Sequence, residues 1–284
     1  MSEPVIDRDR FSSLTDRFWE LAPVTCAVAV FALAGCGGAA KRPTATATPT
    51  STPAALQQPA DRCGAPDKPA KLVTLRTSDG LKLDGAAVGD GDLGVLLLHE
   101  YPADLCGWWP YANYLADRKM RALAIDMRCL GESECGKRGK AAAIADVRAG
   151  MDELRREGAK RVAIMGASYG GAIAVVAGAK LHPAAVVDLS GEQSLQALVP
   201  GYDDVDSLAA APHLKAPALF VVARKDDYTP VADMRRVYRA AGSRKKQLSV
   251  LPFEAGHGLS VLSGFSSEWS PTATRVGRFL SALR

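Results

Sequence analysis

The sequence has no extended basic run. The longest is Arg244-Lys245-Lys246, and 35 lysines and arginines against 31 acidic residues leave a net charge of only +4 over 284 residues. That charge is too small and too scattered for a nucleic-acid footprint. Residues 21–35, LAPVTCAVAVFALAG, are uncharged and largely apolar but number 15, fewer than the roughly 20 a helix needs to cross a bilayer. The six cysteines include no C-x-x-C pair, which argues against a zinc site; no metal and no cofactor is expected. What remains is an ordinary globular composition, 48% hydrophobic, with one sizeable domain as its simplest reading.

The apolar run suits the core of a signal peptide. It ends in Leu33-Ala34-Gly35-Cys36, which resembles a bacterial lipoprotein signal, with Cys36 as the residue that receives the lipid. The preceding segment departs from that pattern: it carries Arg8, Arg10 and Arg17 but also Glu3, Asp7, Asp9, Asp16 and Glu20. Residues 36–62 are rich in Ala, Thr and Pro and poor in large apolar side chains, so they should form a disordered tether. The expected organisation is a signal peptide over 1–35, a lipidated Cys36 with its tether over 36–62, and a folded domain over 63–284. The protein is then exported and held to the membrane through Cys36, with plain secretion as the alternative. Outside the cytoplasm, Cys63, Cys106, Cys129 and Cys135 should form two disulfides out of three pairings. Cys129 and Cys135 flank Gly131 closely enough to close a small loop.

From Cys63 onward, apolar runs of strand length alternate with helical patterns. Strands are predicted over 71–77, 81–88, 93–100, 121–127, 161–167, 184–190, 216–223 and 246–252. Helices are predicted over 110–117, 141–157, 171–181, 232–241 and 272–283. In the second helix Ile144, Val147, Met151 and Leu154 share one face, with Asp146, Arg148, Asp152, Glu153 and Arg156 on others. The alternation predicts an α/β fold: a doubly wound, mostly parallel sheet with helices on both faces and an antiparallel hairpin at its start. Reactive groups then collect at the carboxyl ends of the strands.

At one such end Gly166-Ala167-Ser168-Tyr169-Gly170-Gly171 follows a strand and opens a helix, the setting of a G-x-S-x-G nucleophile elbow. The plainer reading is a glycine turn in which Ser168 only caps the helix. A serine nucleophile needs a base and a carboxylate that orients the base. Two later strand ends supply them, Arg224-Lys225-Asp226-Asp227 and Ala255-Gly256-His257-Gly258. His257 is the candidate base; His182 ends a helix, His213 lies in a connection and His99 precedes the serine. Asp226 is the candidate acid, with Asp188 as its main rival and Asp227 as a surface or helix-entry residue.

Together these motifs resemble the α/β-hydrolases over about residues 71–284, in the chain order Ser, acid, His. The resemblance implies an oxyanion hole made by the backbone N–H groups of Tyr169 and Tyr101. His99-Glu100-Tyr101 stands where many members have His-Gly and is similar to dienelactone hydrolase-like proteins, which implies that Glu100 holds the resting Ser168 or the network around it. Asp126, Arg128, Gly131 and Ser133 match a family loop and read as structural. The implied activity is a serine hydrolase acting on a small or exposed carboxylic ester, because only about 25 residues separate Leu189 from Ala216, where many lipases insert a cap. A prolyl oligopeptidase-like peptidase or a thioesterase is an alternative within hydrolases, and a non-catalytic cell-surface binding protein is the alternative outside them.

Overall fold

A computed structural model describes residues 62–63, 70–196, 198–252, 255–263 and 269–283. The expected signal peptide, Cys36 and the tether up to residue 61 lie outside the described residues.

Eight strands form one sheet: β1 (Ala70–Arg76), β2 (Lys82–Val88), β3 (Leu93–Leu98), β4 (Arg121–Ile125), β5 (Arg161–Ala167), β6 (Val186–Leu189), β7 (Ala218–Ala223) and β8 (Lys246–Leu251). Their order is β1-β2-β4-β3-β5-β6-β7-β8. Strands β1 and β2 pair antiparallel, β2 joins β4 antiparallel, and β3 through β8 run parallel with β4. The expected doubly wound α/β fold with an initial hairpin is therefore present. The parallel strands are apolar at most positions because both faces are covered; every residue of β3, LGVLLL, is buried.

The connecting helices are α1 (Trp109–Asp117), α2 (Lys140–Arg156), α3 (Tyr169–Leu181), α4 (Ser207–Ala210), α5 (Val231–Ala240) and α6 (Pro271–Ser281). Helix α3, YGGAIAVVAGAKL, has no polar face and is buried from Tyr169 through Gly178; a helix apolar all round belongs in the interior. Helix α5 shows the opposite pattern and buries Met234 and Val237 along one stripe. Helix α4 and the 3-10 turns over Leu105–Trp108, Ala211–His213 and Gly258–Leu262 carry too few residues for a periodic signal, so the sequence does not predict them.

Asp146 departs from its expected place away from the packed face of α2. It is fully buried, and its Oδ1 accepts from Arg128 at 2.6 Å (Nη2) and 3.0 Å (Nε). Arg128 also reaches Asp79 at 2.7 Å and the Lys137 carbonyl at 2.7 Å, so a guanidinium with no side-chain exposure is saturated with acceptors. Burial opposes its charge, yet the hydrogen bonds and charges of Asp146 and Asp79 hold its pKa above the ordinary arginine value. Removing one member of such a pair leaves a buried charge uncompensated. Asp146→Ala is expected to lower unfolding free energy by about 3–5 kcal/mol, read from urea denaturation; a loss below about 1 kcal/mol, the scale of an exposed pair, would refute this account.

Two disulfides close as the cysteine count requires, Cys63–Cys106 and Cys129–Cys135. The first fixes the start of the described domain to the loop before α1. Arg62 beside it donates to Asp84 and Asp126, each at 2.6 Å. The loop matched to the family is structural, as expected: Asp126 accepts from the N–H of Leu105 at 2.7 Å and of Glu132 at 2.8 Å, and Ser133 donates to the Asp126 carbonyl at 2.7 Å.

Candidate active site

Ser168 occupies the turn between β5 and α3 with φ 50 and ψ −123, a conformation unfavourable for a side chain with a Cβ. The turn is tight because its glycines admit backbone where a methyl would stand. A Cβ on Gly166 would lie 2.0 Å from the Gly170 carbonyl oxygen, and one on Gly170 would lie 2.2 Å from that of Leu98. Ser168 makes no side-chain cap to α3, so the helix-cap reading fails. The strain instead turns the hydroxyl toward a cavity at the carboxyl end of the sheet.

His257 and Asp226 meet at that end. His257 Nδ1 lies 2.7 Å from Asp226 Oδ1, and the same oxygen accepts from the backbone N–H of Tyr228 at 3.0 Å and of Thr229 at 2.8 Å. The Asp226 side chain is fully buried and that of His257 is 18% exposed, which leaves one imidazole edge open to the cavity. Burial works to raise the Asp226 pKa, but the hydrogen bonds from His257 and Thr229 outweigh it and the net shift is downward. Burial likewise works to lower that of His257, and the hydrogen bond and charge of Asp226, then the charges of Glu192 and Glu100, carry it upward.

The rival residues are engaged elsewhere or turned outward. Asp188 accepts from Gly191 N–H at 2.7 Å and holds the turn after β6; burial pushes its carboxyl up to about 7. Asp227, His182 and His213 are exposed. His99 is buried, donating from Nδ1 to the Glu100 carbonyl at 2.9 Å and accepting at Nε2 from Met127 N–H at 3.0 Å. Those two partners fix it as a neutral structural imidazole, and burial depresses its pKa.

Of the two roles expected of Glu100, direct contact with the resting nucleophile is corrected. The Ser168 hydroxyl donates to Glu192 Oε1 at 2.8 Å and makes no hydrogen bond to Glu100 or His257. Glu100 holds the surrounding network instead: its Oε2 accepts from Leu259 N–H at 3.0 Å and so ties the end of β3 to the loop that carries His257. Gly258, at φ +55, permits this approach, since a Cβ there would stand 2.0 Å from Glu100 Oε2. Glu192 escaped the sequence reading although it follows β6 in Ser190-Gly191-Glu192, at the carboxyl end of the strand beside β5. Burial raises its pKa against the hydrogen bond from Ser168, and its Oε2 is buried without a partner among the described residues.

The cavity holds about 450 Å³ and is lined by Ser168, Tyr169, His257, Glu100, Tyr101 and Glu192, with Pro102, Leu198, Val199 and Tyr228 completing its wall. The backbone N–H groups of Tyr101 and Tyr169 make no hydrogen bond to described residues, which leaves both donors available to a ligand oxygen. An arrangement of this kind can transfer a proton from a hydroxyl to an imidazole and hold a developing oxyanion.

Solved structures share this architecture. An esterase of Pyrococcus furiosus matches over 78% of this chain and 95% of its own, with TM-score 0.63 and 22% identity. The enol-lactonase of Burkholderia xenovorans LB400 matches over 74% of this chain and 100% of its own, with TM-score 0.59 and 18% identity. A thermophilic esterase of Thermogutta terrifontis matches over 75% and 97%, with TM-score 0.56 and 20% identity. At these identities the likeness is one of fold, the α/β-hydrolase fold. Comparison with curated protein sequences finds no match. The profile of the dienelactone hydrolase family matches residues 117–270, more than half of the chain and a span that includes Ser168, Glu192, Asp226 and His257. The chain therefore belongs to the dienelactone hydrolase family.

Proposed function

We propose that the protein is a serine esterase that cleaves a small or exposed carboxylic ester through Ser168, His257 and Asp226. The observation that carries this reading is the strained serine at the β5–α3 turn, sharing one cavity with an imidazole whose far nitrogen is held by a buried carboxylate. For reaction the Ser168 hydroxyl leaves Glu192 and turns to His257. The imidazole, kept by Asp226 as the Nδ1–H tautomer, takes the hydroxyl proton at Nε2 while Oγ forms a bond to the carbonyl carbon. The N–H groups of Tyr169 and Tyr101 hold the carbonyl oxygen as its charge develops. The leaving alcohol departs with the proton from His257, and water then releases the acid by the same steps in reverse order. The cavity volume, about 450 Å³, and the short segment between β6 and β7 that walls it favour a compact ester over a long acyl chain. The two disulfides support an exported protein.

Labelling with a fluorophosphonate tests the activation of the serine. The probe is expected to attach to Ser168 in the full chain and to be absent from Ser168→Ala. A wild-type chain left unlabelled, or a variant still labelled, would remove the proposal in favour of a non-catalytic binding role.

A further inference from the structure

We propose, on the basis of the esterase reading above, that the cavity selects its ester by charge: it takes esters with an alkylammonium group near the scissile bond and refuses those with a carboxylate there. Two carboxylates, Glu100 and Glu192, line the cavity, and no lysine or arginine does so among the described residues. Among the described residues, the arginines at the segment between β6 and β7 are engaged with protein acceptors. Arg138 donates to the Pro200 carbonyl at 3.1 Å, while Arg236 donates to Gln193 at 2.8 Å and Asp233 at 2.7 Å. The charge facing a bound substrate is therefore negative.

The remaining surface suits the same partner. The aromatic residues Tyr101 and Tyr228 line the cavity. Tyr101 and Tyr228 are 42% and 71% exposed, and with Leu198 at 57% they are the exposed large apolar side chains among the described residues. All three line this one mouth. Ring faces attract alkylated ammonium groups and accept their methyl groups, and they give a carboxylate nothing in return. A substrate carboxylate would instead meet two like charges in a partly enclosed space, where screening by water is weak. Both glutamates act electrostatically on His257, which places their field at the reacting centre.

The test is a series of butyrate esters of one shape, hydrolysed by the full chain at neutral pH. The alcohols are 2-(dimethylamino)ethanol, protonated at that pH, its carbon isostere 3-methylbutanol, and 3-hydroxypropanoate. kcat/KM is expected to fall about tenfold from the ammonium ester to the neutral one and about tenfold again to the carboxylate ester. Glu192→Gln should shrink the ammonium-to-carboxylate ratio by about tenfold, a ratio within one variant that cancels any general loss of activity. A carboxylate ester cleaved as fast as its carbon isostere, or an ammonium ester cleaved no faster, overturns charge selection even if Glu192→Gln fails to fold. If all three esters are cleaved alike and Ser168→Ala stops it, charge selection falls and the esterase reading stands. If none is cleaved, both fall.

Discussion

Ser168→Ala is expected to lower kcat for p-nitrophenyl acetate by about 10⁵-fold or more while the chain stays folded. In the proposed mechanism the change removes the atom that forms the acyl bond, and no neighbouring group can replace it. Among the described residues Glu192 is the side chain hydrogen-bonded to the hydroxyl, and a buried carboxylate with a raised pKa is a poor substitute for a hydroxyl activated by His257. The oxyanion donors, being backbone N–H groups, survive the substitution and leave a small residual rate. Alanine keeps the Cβ that the positive φ of 50 already accommodates, so it adds no strain at the elbow. Its one structural cost is at Glu192, where Oε1 joins Oε2 in lacking a donor. A variant retaining more than about a tenth of the wild-type rate would exclude Ser168 as nucleophile, since loss of a residue that forms the covalent intermediate costs far more.

Much of this site was legible because the strands are. The continuous apolar runs of β3, β5 and β7 separate clearly from the periodic patterns of the helices, and the rule that ligands gather at carboxyl strand ends brings Ser168, Asp226 and His257 together. The cysteine count and the spacing of Cys129 and Cys135 were equally readable. Glu192 was not, because its place depends on a turn built by tertiary contacts: Ser190 takes φ +55, and Asp188 fixes Gly191 N–H from within the core. Glu100 was legible only in part for a related reason. A family motif places a residue at the end of β3 but does not say whether its carboxylate turns toward Ser168 or toward the Leu259 N–H. Asp146 shows the limit of helical periodicity, since an acid on a packed face becomes intelligible only once Arg128 is known to lie opposite it.

Asp226→Ala is expected to lower kcat for the same ester by about 10⁴-fold, and Asp226→Asn by less. In the serine-protease triad the corresponding asparagine imposes the wrong tautomer on the imidazole. Here one oxygen, Oδ1, receives His257 Nδ1 together with the N–H groups of Tyr228 and Thr229. Those two backbone donors would hold the carbonyl oxygen of an asparagine in the same position and turn its NH₂ to the site of Oδ2, which has no hydrogen-bond partner among the described residues. The Nδ1–H tautomer is thereby kept, and what is lost is the negative charge that stabilises the imidazolium. Alanine loses both orientation and charge, so the two variants separate the two contributions. The pH profile supplies an independent readout. His257 must be neutral to accept the proton, so activity rises with pH through its pKa, and the upward shift puts the acid limb above the ordinary value of 6.5. Asp226→Asn removes the charge behind much of that shift, leaving burial opposed by Glu192 and Glu100, so the limb should move to lower pH. An asparagine variant as impaired as the alanine one, with its limb unmoved, would show that Asp226 acts neither by its charge nor through the held tautomer.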